Sequence, residues 1–153
     1  MEFLDNILKK FGSQNVIIAC VCVLVIIIGT IVYRAIKLKM YRKEIIELEN
    51  RMNAIKTLPI QYRLGRVKGI GKNMPEVLEK YELYESEFNK LNVFQNNDIM
   101  PLINEIDEQL FYRKLTGARK KIVKLKNEID NYENKAQDLL KKIEVITEIE
   151  NVQ

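Results

Sequence analysis

The chain has 153 residues, 30% of them charged, with a formal net charge of +4, two cysteines and no histidine. That length allows one modest domain and an anchor, and the missing histidine removes the commonest general base and the commonest metal ligand together. Cys20 and Cys22 both lie inside an apolar run, so they imply neither a disulfide framework nor a thiolate metal site and read as lipid-facing or packed small residues.

The first predicted element is a membrane span. Residues 16–33, from Val16 to Tyr33, read VIIACVCVLVIIIGTIVY and carry no charge. As a helix they cover about 27 Å, close to the ~30 Å hydrocarbon core of a bilayer. A soluble core helix would show a polar face, and a cleaved signal peptide would end in small residues; this run ends in Tyr33 and Arg34, an interfacial pattern. Residues 1–15 then form a short external N-terminus with Lys9 and Lys10 offset by Glu2 and Asp5. The ten residues after the span hold Arg34, Lys37, Lys39, Arg42 and Lys43 and no acid. The positive-inside bias therefore places residues 34–153 in the cytoplasm, and the same five bases suit contact with anionic lipid.

Beyond the span the apolar residues keep heptad spacing. Leu38, Tyr41, Ile45, Leu48, Met52 and Ile55 alternate by three and four, a seam that Pro59 ends. The next stretch, GRVKGIGKN at residues 65–73, holds three of the chain's six glycines and three bases. It lacks the spacing and the Ser or Thr of a phosphate-binding loop. "VKGIGK" resembles the Gly-hydrophobic-Gly hairpin of helix-hairpin-helix DNA-binding proteins, but Pro75 stands where that family has a small residue. The remaining reading is a glycine-relieved turn between packed helices, its bases solvated or ion-paired.

Asn73 with Glu76, and Pro75 in the first turn, predict the start of a second helix. Its seam is Met74, Val77, Tyr81, Tyr84, Phe88 and Leu91. NVFQNND at 92–98 reads as a polar break, with Asp98 capping a third helix whose apolar side is Ile99, Ile103, Ile106 and Leu110. LTG at 115–117 interrupts again, with Thr116 as the expected cap of the last helix. There Ala118, Ile122, Leu125, Ile129, Tyr132, Ala136, Leu139, Ile143 and Ile146 hold the heptad without a fault, with Leu140, Val145 and Ile149 beside it. A stripe this wide suits helices folded back on one another. The expected fold is therefore all-α: a single N-terminal transmembrane helix followed by an antiparallel coiled-coil or spectrin-like helical bundle. The pattern runs off the end at EIENVQ, as in the first part of a longer rod or a shortened one.

This order of parts resembles the N-terminal region of the EzrA family, the septation ring formation regulators of low-GC Gram-positive bacteria. The matching features are the outside-in anchor, the heptad segment YRKEIIELENRMNAIKTLPI and the turn at Arg66, Val67 and Lys68. Tyr81, Glu82, Tyr84 and Phe88 stand where the family has Phe-Glu-x-Trp-x-x-x-Trp, followed by MPLINEIDEQL and then Ala118 with Arg119. Both tryptophans are replaced by other aromatics, and family members are several times longer. The resemblance implies a cell-membrane protein at the division septum that binds FtsZ, the tubulin-like division protein, and other divisome proteins. It would limit Z-ring formation without catalysis or cofactor and without binding nucleic acid; homo-oligomerisation is left open. The alternatives are a generic membrane-tethered coiled-coil scaffold or signalling stalk and, behind these, a helix-hairpin-helix DNA-binding membrane protein.

Overall fold

The structure is a computed structural model that describes residues 12–55 and 57–149. The N-terminal tail with Lys9 and Lys10, and the last residues of EIENVQ, lie outside the described residues. Five α-helices account for nearly all of the rest: α1 (Ser13–Ala54), α2 (Thr57–Gly71), α3 (Pro75–Phe94), α4 (Met100–Phe111) and α5 (Ala118–Ile149). Among the described residues there is no strand, and the chain is all-α. It divides into two compact units that meet between Met40 and Tyr41.

The first unit is the apolar part of α1. From Ile17 to Ile36 every residue is exposed, including long aliphatic side chains such as Ile26 at 64% and Val25 at 63%. In water each such side chain forgoes about 1.5–3 kcal/mol of burial. A single helix apolar on all sides is stable in hydrocarbon, where its backbone groups are satisfied internally. The Thr30 hydroxyl is satisfied within the helix, donating to the Ile27 carbonyl oxygen at 2.7 Å. This helix is long and apolar enough to cross a membrane.

The second unit is a bundle whose directions follow from cross-helix pairs. Glu44 meets Arg119, Arg51 meets Asp130 and Glu133, and Arg63 meets Glu144. Residue numbers rise together, so the end of α1 and α2 run parallel to α5. Against α5, the middle helical segment runs the other way: Glu105 meets Lys121, Gln95 meets Tyr132 and Glu87 meets Lys142. The path is up, down and up. Its core takes Ile45, Leu48, Met52, Ile60, Leu64 and Val67 from the first segment. The second supplies Tyr81, Leu91, Ile99, Leu102, Ile103, Ile106 and Leu110, and the third all nine α5 seam residues from Ala118 to Ile146. Each seam residue of α5 is at most 6% exposed, because alternating steps of three and four keep one face of a 3.6-residue helix toward its neighbours.

Four boundaries differ from the sequence reading. First, NVFQNND does not break the helix. Phe94, Gln95, Ile99 and Met100 all keep right-handed helical backbone angles, and α3 passes into α4 through a π turn at Gln95–Ile99. The Met100 N–H donates to the Gln95 carbonyl, five residues back. The seam explains why. Tyr84 to Leu91 and Ile99 to Ile106 are each one heptad, but Leu91 to Ile99 is one residue longer. The π turn absorbs the extra residue and widens the helix just before Pro101, whose ring and missing N–H would disrupt an ordinary turn. Asp98 is therefore mid-helix and caps nothing.

Second, GRVKGIGKN is mostly helix. Gly65 and Gly69 lie inside α2, Gly71 ends it, and only Lys72–Met74 form the turn. Third, the cap of α3 is Met74, in extended conformation and without a side-chain cap bond, with Pro75 as the first helical residue; Asn73 sits one position too early. Met74, assigned above to the seam, is 45% exposed. Fourth, α5 begins after Gly117 (φ 77°), whose carbonyl accepts the Lys121 N–H, while the Thr116 carbonyl accepts from the Gln109 side chain at 2.5 Å.

Candidate membrane anchor and interaction surfaces

The span from Val16 to Tyr33 is followed at once by its bases. At about 100° per residue, Arg34, Lys37, Lys39, Arg42 and Lys43 fall on all sides of the helix. A helix lying in the membrane plane gathers its bases on one face; a collar suits a helix that passes through the headgroup layer. Lys37 is half-buried, its ammonium 5.6 Å from the centre of the Tyr33 ring, and Arg34, Lys39, Arg42 and Lys43 are exposed. Lys43 lies 3.9 Å from Glu47 in an exposed pair one turn on.

The seam residues named from the sequence divide by position. Ile45, Leu48, Met52, Ile122, Leu125, Ile129, Tyr132, Leu139 and Ile143 are buried together in the bundle, whereas Leu38, in the first unit, is half-buried. Of the three aromatics set against the family pattern, Tyr81 is buried and donates its hydroxyl to Glu85, while Tyr84 and Phe88 are half-buried.

Two ionisable groups are perturbed by packing. Burial pushes the Glu49 carboxyl above the usual carboxylate range, and the charge of Asp107 on the facing helix adds to the effect. Burial likewise raises the Tyr132 phenol. Its hydroxyl donates to Gln95 Oε1 at 3.0 Å, and its ring stacks on Phe94 with centroids 6.4 Å apart, so the π turn carries the polar partner for this buried group.

Where α1 gives way to α2 an open cleft of about 210 Å³ is lined by Arg51, Ala54, Ile55, Ile60, Glu133, Ala136, Gln137 and Leu140. It is smaller than the ~300–1,000 Å³ usual for a small-molecule site, and Arg51 reaches over to Asp130 (2.6 Å) and Glu133. Among the described residues no group of three or more acids or cysteines is placed to hold a metal ion. Gly65 and Gly69 have open space where a Cβ would be, but at Gly71 it would lie 3.0 Å from the Leu78 Cα. Only Gly71 is needed for the close approach of α2 and α3.

Two features had no signal in the sequence reading. Arg113 adopts φ 55° in a turn where the Lys114 N–H bonds to the Gln109 carbonyl at 2.9 Å and the Arg113 N–H to Leu110 at 3.1 Å, the Schellman pattern that ends α4. Beside it Phe111 and Tyr112 are 73% and 60% exposed and pack edge to face at 5.3 Å. Comparison with protein-family models, curated proteins and solved structures finds no match to this chain.

Proposed function

We propose that this chain is a membrane-anchored adaptor: a single-pass span holds a helical bundle at the cytoplasmic face, and the bundle binds a partner without catalysing a reaction. The observation that carries the reading is the uncharged helix from Val16 to Tyr33, exposed on every side and followed directly by five bases and no acid. The basic flank favours a cytoplasmic bundle and an external N-terminus. The long shared seams favour a spectrin-like, coiled-coil type of packing. Such a surface offers many weak polar contacts, and confinement to a membrane raises its effective concentration toward any partner on the same membrane, so weak contacts suffice.

In its specific form the proposal takes its partner from the resemblance to EzrA. The bundle engages FtsZ, alongside other divisome proteins, at the septum and restrains Z-ring assembly. The order of anchor, basic segment, heptad helix and aromatic-bearing second helix supports this version. The test is co-sedimentation of the full chain, held in nanodiscs, with FtsZ polymers assembled on GTP. Enrichment in the pellet over empty nanodiscs, lost when GDP replaces GTP, is expected. Equal pelleting with and without the chain would remove FtsZ as the partner and leave the general adaptor. The signalling-stalk version of that adaptor draws on one feature, the unbroken helix from Ser13 to Ala54, and needs no filament.

A further inference from the structure

Two separate segments of the chain are basic and free of acids. One is residues 34–43, with five bases. The other is residues 109–127, where Arg113, Lys114, Arg119, Lys120, Lys121, Lys124 and Lys126 occur without an acid between Glu108 and Glu128. Together they hold twelve of the 25 bases and none of the 21 acids, so the rest of the chain is net acidic. Far apart in sequence, the ends of both segments reach the same end of the bundle. Arg119 Nη1 lies 2.8 Å from both Glu44 carboxylate oxygens, one residue past Lys43. The turn between α4 and α5 therefore sits at the end of the bundle where the chain arrives from the span. Only seven residues separate Tyr33 from Tyr41, a tether whose steps reach at most about 28 Å even when fully extended.

This turn exposes what an interfacial membrane contact uses. Phe111 and Tyr112 project as an exposed pair, and the Lys114 ammonium lies 5.6 Å from the centre of the Tyr112 ring. Arg113 and Lys114 are exposed in the same turn, and Lys120 is exposed at the start of α5. The acids at this end include Glu44, engaged by Arg119, and Glu105, engaged by Lys121 at 2.8 Å, with Glu108 a turn back in α4. Aromatic rings with a polar edge settle at the headgroup level, and clustered bases are drawn to anionic lipid within a Debye length of about 8–10 Å.

We infer that the α4–α5 turn, residues 111–117, is a second membrane contact that seats Phe111 and Tyr112 among the headgroups of an anionic bilayer. The inference rests on the anchoring in the proposed function. It adds a fixed face of the bundle toward the lipid, leaving the net acidic remainder for partners. Apart from these basic segments the bundle is net acidic and is repelled by an anionic surface, so holding one end down needs bases placed at that end.

The chain has no tryptophan, so Phe111→Trp installs a single fluorescent reporter at an exposed position, and Tyr112→Trp gives a second. The control is Tyr62→Trp, 72% exposed on α2. Its neighbour Arg63 pairs with Glu144, 25 residues along α5 from Arg119 and so about 37 Å away. Each full-length variant is reconstituted in phosphatidylglycerol and in phosphatidylcholine vesicles, with and without brominated acyl chains. Blue-shifted emission of the turn reporters in phosphatidylglycerol, quenched by the brominated lipid and reversed by Arg113→Glu with Lys114→Glu, is expected; the control stays solvent-like throughout. Emission that is the same in both lipids, or a shift that grows with protein-to-lipid ratio and so reports a second copy, overturns the inference. Retention of the chain in the vesicles through an alkaline wash reads the span alone. A retained chain with solvent-like turn reporters thus overturns the lipid contact and leaves the anchor standing, whereas a chain washed off overturns both.

Discussion

Gly65 and Gly71 are six positions apart in one helix, and opposite outcomes are expected when each becomes alanine. Gly65 faces open space in a helix interior, so Gly65→Ala removes backbone freedom from the unfolded chain and stabilises by about 0.5–1 kcal/mol. At Gly71 the new methyl meets the Leu78 backbone at 3.0 Å, and parting two helices to admit it costs roughly 1–3 kcal/mol. Chemical denaturation of the detergent-solubilised chain, followed by circular dichroism, separates the two. Arg113 offers a second residue-scale test. It holds a left-handed conformation that costs an L-residue about 1–2 kcal/mol and glycine almost nothing. Arg113→Gly should raise the denaturation midpoint; an unchanged or lower one would mean that the side chain's own contacts outweigh the backbone relief. Neither position was legible beforehand. Three glycines in nine residues read as a turn because composition does not say that two of them lie on a solvent face, where a helix tolerates them. Arginine carries no preference for the left-handed region, so nothing marked it as a helix terminator.

At the scale of elements, the repeat in α5 was legible from end to end, because each step of three or four is itself the condition for burial. Leu125 is 0% exposed, and Leu125→Asp places an unpaired charge in the core. The expected loss exceeds about 4 kcal/mol, a large share of the ~5–15 kcal/mol that holds a domain together. Lys124→Asp, on the exposed side of the same turn, should change stability by no more than about 0.5 kcal/mol. Equal loss of helicity in both would contradict the assigned face. The junction of α3 and α4 was half legible. The skip of one residue between Leu91 and Ile99 stands in the sequence, but next to a run of polar residues and a proline it looks like a loop. Continuous burial on both sides makes a widened turn cheaper than a break, since a break would expose backbone groups and separate Leu91 from Ile99. Deleting Asn97 together with Pro101→Ala should therefore leave a plain helix in register and a midpoint at least as high as the parent's. Deleting Lys126 from α5, where there is no residue to spare, should shift every later seam residue by about 100° and unfold the bundle. If the Asn97 deletion is as damaging as that of Lys126, the π turn is not a register device.

For the whole molecule, the sorting of charge matters more than its sum. A net +4 describes neither part: the bases gather after the span and at the α4–α5 turn, and the acids lie elsewhere. The first of these concentrations was legible because it is contiguous with the span. The second was visible only as a basic stretch, since its place beside Glu44 depends on the parallel course of α1 and α5, which spacing alone does not determine. The exposed pair Phe111 and Tyr112 carries no sequence signal for the same reason, being neither on a seam nor in a motif. The choice of partner stands outside what the fold decides, but every version of the proposal needs the bundle on the cytoplasmic side. That is measured directly by fusing the full chain, after Gln153, in parallel to a reporter active only in the cytoplasm and to one active only after export, in a bacterial host. Activity of the cytoplasmic reporter alone, reversed when Arg34, Lys37, Lys39, Arg42 and Lys43 are replaced by glutamine and bases are added before the span, is the expected result. Activity of the exported reporter alone in the unaltered chain would contradict the topology and the function built on it.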